Sequence, residues 1–516
     1  MASHKPALES DEKSDTSVVP AKGSNATAGA VGEALEGRGV AEGNAGRSNA
    51  HRTQGRAGAS QGLAGVREAA RRDRRLRFTA LLHHVTPQLL TESYYALSRG
   101  AAAGVDGVSW AQYGEGLAAR IAALHRAVHE GSYRAQPSRR SYIPKADGSR
   151  RPLGIAALED KIVQQALVSV LGAVYEEEFL GFSYAFRPGR SQHDALDALS
   201  TALMSRKVNW IIDADITAFF DSIDHEWMLK MLDRRIGDRR VLRLIAKWLK
   251  VGVVEDGRRI RSEQGTPQGA VISPLLANIF LHYGLDLWVQ RWRRREATGQ
   301  VIVTRYADDV IVGFEHRTEA QRFLREAQAR LTKFGLALHP TKTRLLEFGR
   351  YAAERRARRG EGKPATFDFL GFTHCCSRTR GGAYTVRRLT VKKRLRATVQ
   401  AVRAQLNRRR HEPVGVIGRW LRQVVQGYFN YFAVPGNLHR LRAFRRAVGR
   451  AWRQALRRRS QRGRLPWQRF AHLLRLYLPP VRQLHPYPLH RFDVTHPRQE
   501  PYAVIPPVRI CAGGAG

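Results

Sequence analysis

The residues best suited to chemistry are three carboxylates at two places in the chain. Tyr306-Ala307-Asp308-Asp309 carries two of them side by side, and no neighbouring Lys neutralises them. Adjacent carboxylates repel each other, and a divalent cation offsets that repulsion because Mg²⁺ takes hard oxygen ligands. An Asp-Asp pair also suits an ordinary polar turn. The company of the motif decides between the two. Upstream, Trp210-Ile211-Ile212-Asp213-Ala214-Asp215-Ile216 is an apolar strand that ends in Asp215. One strand delivering an Asp beside a hairpin delivering two is what two-metal phosphoryl transfer requires. One ion lowers the pKa of the attacking hydroxyl and the other stabilises the leaving oxygens; being about 3.5–4 Å apart, they must share carboxylates. A Gly-rich turn, Gln264-Gly265-Thr266-Pro267-Gln268-Gly269, opens the apolar run from Val271 to Ile279. Gly269 permits close backbone approach to a ligand, and a turn leading into a helix suits a nucleotide.

The elements that must position these groups are legible from residue type. Val301 to Arg305 and Val310 to Phe314 are rich in β-branched residues and predict the two arms of a hairpin with the Asp pair at its tip. Lys145 to Arg151 predicts a second hairpin with Asp147-Gly148 at the turn. Lys145 and Arg151 on a common side of it suit a triphosphate clamp, and a solvated charged turn would have the same composition. Tyr184 to Arg190 is a basic, Gly-containing loop with aromatics. Arg187, Gly189 and Arg190 there suit a template strand by phosphate contact and stacking, and suit an ordinary turn equally. Helical spacing recurs at Leu117, Ile121, Leu124 and Val128, from Leu158 to Leu171, and along Leu229, Leu232, Ile236, Leu242, Ile245 and Leu249. A helix is also predicted from Arg71 through Phe78, with Leu81, Leu82 and Val85 on its apolar side. Residues Glu319 to Phe334 predict another.

The acidic stretches and the Gly-rich turn, in this order, resemble the reverse transcriptases, most closely those encoded by group II introns. Further matching stretches are Ser141 to Ile155, Leu158 to Ala166, Ser183 to Ser191, Phe369-Leu370-Gly371-Phe372 and Gly427-Tyr428-Phe429-Asn430-Tyr431-Phe432, so the resemblance runs from about Phe78 to about Arg491. It implies an α+β right-hand polymerase of fingers, palm and thumb with a helical maturase bundle. The implied activity is RNA-directed DNA synthesis with two Mg²⁺ ions, together with assistance to intron splicing and mobility. Implied partners are group II intron RNA, an RNA template, a DNA primer, dNTPs and target DNA. Asp215, Asp308 and Asp309 would be catalytic and hold the metals, joined by the Ile216 carbonyl. Lys145, Arg151, Phe220, Gln268 and Gly269 would bind the nucleotide, with the Phe220 ring excluding a ribose 2′-hydroxyl. Apart from the resemblance, Lys342 suits a general acid that protonates pyrophosphate, and a solvated surface Lys of so basic a chain would look the same. Thr217-Ala218 departs from the Lys-Gly of many family members, which removes one contact to RNA or triphosphate.

Composition agrees with a polyanionic partner. The 516 residues carry 87 Lys and Arg against 45 Asp and Glu, a formal net charge of +42. The thumb region carries much of the excess on three amphipathic helices (Val391 to Leu406, Trp420 to Tyr428, Leu438 to Leu456), with Lys392, Arg396 and Arg445 among their outward cations. Such a face grips phosphate without reading sequence. The three cysteines, Cys375, Cys376 and Cys511, form no Cys-x-x-Cys pair, which argues against structural zinc and suits a reducing cytoplasm. No apolar run reaches membrane-spanning length. The expected organisation is a disordered tail at 1–65, N-terminal extension and fingers at 66–205, palm at 206–380, thumb and maturase bundle at 381–485, and a Pro-rich tail at 486–516. Two rival readings are a domesticated reverse transcriptase used in defence or DNA repair, and an RNA-binding splicing factor without polymerase activity. The intact acidic triad argues against the second.

Overall fold

Alternation along the strands around the acidic residues determines where the core lies. In the computed structural model, which describes residues 53–144, 150–260, 263–459 and 465–490, the chain opens with α1 (Thr53–Arg72), α2 (Pro87–Ala96), α3 (Trp110–Gly114) and α4 (Leu117–Glu130). Strands β1 (Ser138–Pro144) and β2 (Arg150–Ile155) precede α5 (Leu158–Tyr175) and α6 (Gln192–Ser205). The central part runs β3 (Trp210–Ala214), α7 (His225–Asp233), α8 (Arg239–Lys250), β4 (Val253–Glu255), β5 (Arg258–Ile260), α9 (Ser273–Leu281), a π-helical turn (His282–Asp286) and α10 (Leu287–Arg295). It continues with β6 (Val301–Tyr306), β7 (Asp309–Phe314), α11 (Arg317–Thr332), β8 (Arg344–Glu347) and α12 (Ala352–Arg358). After β9 (Phe367–Phe369), β10 (Phe372–Arg378) and β11 (Tyr384–Thr390) come α13 (Lys392–Arg408), α14 (Val414–Phe432), α15 (Leu438–Arg457) and α16 (Trp467–Tyr477).

The central sheet has the order β6-β7-β3-β8 with antiparallel neighbours. Ile212, Ala214, Val303, Val310 and Val312 pack into one core with α7 to α11, while Ile211, Ile302 and Ile311 pack into a second core with α6 and α13 to α16. A sheet covered on both faces reads as nearly continuous apolar strands, and each fully buried Val or Ile contributes about 1.5–3 kcal/mol. A second sheet, β2-β1-β4-β5, joins the expected hairpin to β4 by parallel pairing at Ser138↔Val253. A third, β11-β10-β9, leads into the helical bundle. The buried Arg388–Asp197 ion pair at 2.5 Å ties β11 to α6, and Asn437 bonds the backbone and hydroxyl of Thr390 at 3.0 and 2.8 Å.

Three expectations need correction. Part of the tail expected to be disordered is helical, because α1 begins at Thr53. Its glycines at 55, 58, 62 and 65 hide the periodicity, yet Val66 and Ala70 near its end are buried. No helix runs from Arg71 through Phe78. Phe78 instead bridges Ile236, and Asp238 accepts the amides of Leu81 and Leu82 at 2.9 and 3.0 Å. The bundle also has a fourth helix, α16, whose Phe470 is fully buried. Among the described residues no helix is long and apolar enough to cross a membrane.

Candidate active site

Backbone register brings the distant carboxylates to one edge. Ala214, the last residue of β3, pairs with Val310, so Asp215 stands beside Asp309, the first residue of β7. Asp309 pairs with Tyr306, leaving Ala307 and Asp308 as a two-residue turn, with Ala307 at φ 56°. All three Asp residues are half-buried. The Asp215 carbonyl accepts the His339 amide at 2.8 Å, and its carboxylate lies 3.4 Å from Lys342 Nζ. Ile216 is bridged to Leu338, but the backbone bonds of that bridge run from Thr217 to Ala337 and from His339 to Asp215. The Ile216 carbonyl is therefore not the acceptor in either.

A buried network holds the hairpin tip. Arg305 is completely buried and donates to Asp286 at 2.7 and 2.6 Å, to Ser183 Oγ at 2.6 Å, to Asn278 Oδ1 at 3.2 Å and to the Ala307 carbonyl at 3.0 Å. Burial raises the Asp286 pKa and the Arg305 charge opposes that rise. Arg305 and Asp286 escaped the sequence reading. The available signal was a lone Arg inside an apolar strand and a lone Asp inside the apolar run from Leu275 to Val289, since buried charges come paired.

The Gly-rich turn lies against the segment after Asp215. Thr266 N donates to the Phe220 carbonyl at 2.8 Å and Gly265 N to the Ile223 carbonyl at 2.7 Å. Gln268 Nε2 reaches both Asp221 oxygens, at 3.3 and 3.2 Å. Phe219 is buried and takes the core role, while Phe220 is half-buried beside it with ring centroids 5.4 Å apart. Asp224 caps α7 by accepting from Trp227 N at 2.8 Å. Gly269 has φ 110°, and a Cβ there would lie 2.9 Å from the Gly154 carbonyl. The close approach this glycine allows is thus to β2, whose Gly154 amide also donates to the Gln268 carbonyl at 2.6 Å. Arg151, on the same strand, lies opposite Ile143 and is half-buried. Lys145 lies outside the described residues.

Three cations expected to bind template or RNA donate to protein carbonyls instead. Arg187 is 7% exposed, pairs with Glu176 at 3.0 Å and donates to the Leu180 and Ser183 carbonyls, and burial lowers its pKa to about 10. It braces its loop. Arg190 donates to the Gly181 carbonyl at 2.6 Å and lies over the Tyr184 ring, while Gly189 is exposed at φ 69°. Arg445 donates to the carbonyls of Pro479, Leu474 and Leu478, fastening the end of α16, and burial lowers its pKa. Arg445→Ala is expected to destabilise the bundle by about 1–3 kcal/mol. The exposed Arg450→Ala should leave the thermal midpoint unchanged, and equal midpoints for both variants would refute this role. Lys392 and Arg396 are exposed on α13.

The donor set at the β3 and β6–β7 edge is all oxygen, which suits a hard divalent cation, and Asp215 already draws the Lys342 ammonium. Among the described residues no three His, Cys, Asp or Glu side chains are grouped as a metal-holding set.

Residues 143–374 match the family model described as reverse transcriptase (RNA-dependent DNA polymerase). The chain is 39% identical over 217 residues to protein YkfC of Escherichia coli, covering 41% of this chain and 57% of YkfC. It is 38% identical over 164 residues to the group II intron-encoded protein LtrA of Lactococcus lactis, covering 32% of this chain and 27% of LtrA. Identity to the 91 kDa protein in the cob intron of Schizosaccharomyces pombe is 44% over 154 residues, or 30% of this chain and 19% of that one. Thus the chain spans little more than half of YkfC and about a quarter of LtrA. The mixture of helices and sheets is that of an α+β right-hand polymerase fold. Residues 143–374 are therefore a reverse transcriptase domain of the kind carried by group II intron-encoded proteins and intron maturases.

Proposed function

We propose that the chain is an RNA-directed DNA polymerase of the group II intron type that also acts as a maturase. The single observation carrying the catalytic reading is the β3–β7 register, which sets Asp215 beside Asp309 and the Asp308 turn. In this reading Asp215, Asp308 and Asp309, with the Ile216 carbonyl, hold two Mg²⁺ ions. Bound there, the ions supply activation of the primer 3′-hydroxyl and charge stabilisation at the leaving pyrophosphate. Lys342, whose Nζ lies 3.4 Å from Asp215, would give a proton to the departing pyrophosphate. Arg151 and Lys145 hold the triphosphate, and the Gln268–Asp221 contact fixes the floor of the nucleotide site. The half-buried Phe220 ring bars a ribose 2′-hydroxyl. The protein's part is mainly to orient and neutralise.

The partners in this reading are intron RNA, an RNA template, a DNA primer, dNTPs and target DNA. The exposed Lys392 and Arg396 would contribute phosphate contacts from a thumb at 381–485, beside a palm at 206–380 and fingers with N-terminal extension before it. The test is primer extension on an RNA template by wild type and Asp308→Ala. Wild type should synthesise DNA and the variant should not; equal synthesis would end the catalytic assignment. A splicing assay of the intron RNA reads the maturase role separately.

A further inference from the structure

A groove among the helices, lined by no residue of the acidic hairpin, has a composition the polymerase reading does not use. It has a volume of about 400 Å³ and is formed by α7, the π-helical turn, α10 and the end of α11. Its lining includes four cations, Lys230, Arg234, Arg291 and Arg330, and no Asp or Glu. Aromatic rings alternate with them. Lys230 lies 5.2 Å from the Trp227 ring, Arg234 lies 5.4 Å from Tyr283, and Arg330 lies 4.6 Å from Phe334. Trp227 is 39% exposed and Leu287 41%, large values for apolar side chains on a folded surface.

Two carboxylates outside the lining reach residues of the groove, and neither pairs with Arg291 or Arg330. Glu226 pairs with Lys230 on the helix surface, and Glu178 is shared by buried Arg235 and the Tyr283 hydroxyl. Arg330 donates to the Tyr283 and Gly284 carbonyls, which places its charge at the groove wall, and the neighbouring Arg291 charge helps lower its pKa after burial. A lining with four cations and no carboxylate, interleaved with aromatic rings, is what a flexible polyanion with flat bases requires. Phosphates meet the guanidinium groups while bases stack on the rings, without sequence preference. An acidic peptide offers the charge but leaves the indole faces without a stacking partner.

We propose that this groove is a binding site for single-stranded polynucleotide, separate from the polymerase cleft. The chemistry serves RNA and DNA alike, so it would hold a strand that is neither the duplex being extended nor the incoming nucleotide. The proposal goes beyond the polymerase reading and does not depend on catalysis, so it is tested in the full chain and in its Asp308→Ala variant.

The probe is a 20-nucleotide strand with photoreactive bases, made once as RNA and once as DNA, with cross-links mapped by mass spectrometry. Excess unlabelled primer–template duplex occupies the cleft. Cross-links to peptides carrying Trp227, Tyr283 and Trp288 should persist under that duplex. They should fall roughly tenfold in Trp227→Ala, in line with the stacking contribution of one base. The exposed pair Arg234→Ala and Arg291→Ala should lower them similarly with no change in thermal midpoint. Loss of the cross-links on adding duplex, their absence from these peptides, or stronger protection of the groove by a poly-glutamate peptide than by either strand would overturn the proposal. A preference for the RNA or the DNA strand would identify which source it serves.

Discussion

Asp215→Asn is expected to lower primer extension by about 10²–10³-fold or more, the loss typical when a group aimed at developing charge is removed. Thermal stability should stay near that of wild type. The substitution keeps shape and an oxygen acceptor for Lys342, whose contact with Asp215 spans 3.4 Å. It also removes one of the negative charges crowded at the ends of β3 and β7. What is lost is affinity for a cation, so raising Mg²⁺ should recover part of the activity, whereas it should recover none in an Asp308→Ala, Asp309→Ala double variant. Extension at the wild-type rate by Asp215→Asn would mean that the register places this residue beside the site without giving it a role there. Measuring the Mg²⁺ dependence and the melting curve on the same preparation separates the two outcomes.

Arg305→Met should have the largest effect on stability. It leaves Asp286 fully buried with no cation opposite, and breaking a buried pair in this way costs about 3–5 kcal/mol. That corresponds to a fall in thermal midpoint on the order of 10 °C. The sign of the pH dependence follows from the same pair. With Arg305 gone, burial raises the folded-state pKa of Asp286 above its unfolded value. The protonated form then favours folding, so the variant should be least impaired at low pH and lose stability as pH rises through that raised value. Arg305→Met with Asp286→Leu should regain most of the stability, because apolar replacement of both partners is often neutral. Extension should remain depressed, since the bond from Arg305 to the Ala307 carbonyl at 3.0 Å is still missing. Recovery of both properties together would show that the network supports the fold alone.

Much of the site was legible because its chemistry is local. An apolar strand ending in Asp215, and two β-branched arms around Asp308-Asp309, each state their conformation through residue type, and the structure has β3, β6 and β7 at those positions. The helical spacing from Leu117 to Val128 likewise became α4. Illegible were features whose residues depend on partners far away. The helix start at Thr53 carries several glycines and is recognised only by what its buried end packs against. Leu81 and Leu82 read as the apolar side of a helix, because nothing near them announces that Asp238 takes their amides.

The cations illustrate the same division. By itself the sequence determined that the chain is strongly basic, and that three carboxylates stand at a strand end and a hairpin tip between apolar strands. These follow from charge, hydrophobic period and turn propensity, which act over a few residues. Only the tertiary structure decided that Arg187 and Arg445 serve carbonyls while Lys392 and Arg396 face solvent. It alone decided that Gly269 is small for the sake of Gly154, and that Arg305 and Asp286 lock the acidic turn. A guanidinium looks the same in any sequence, and whether it meets phosphate or protein depends on which carbonyls and carboxylates the packed chain brings within about 3 Å of it.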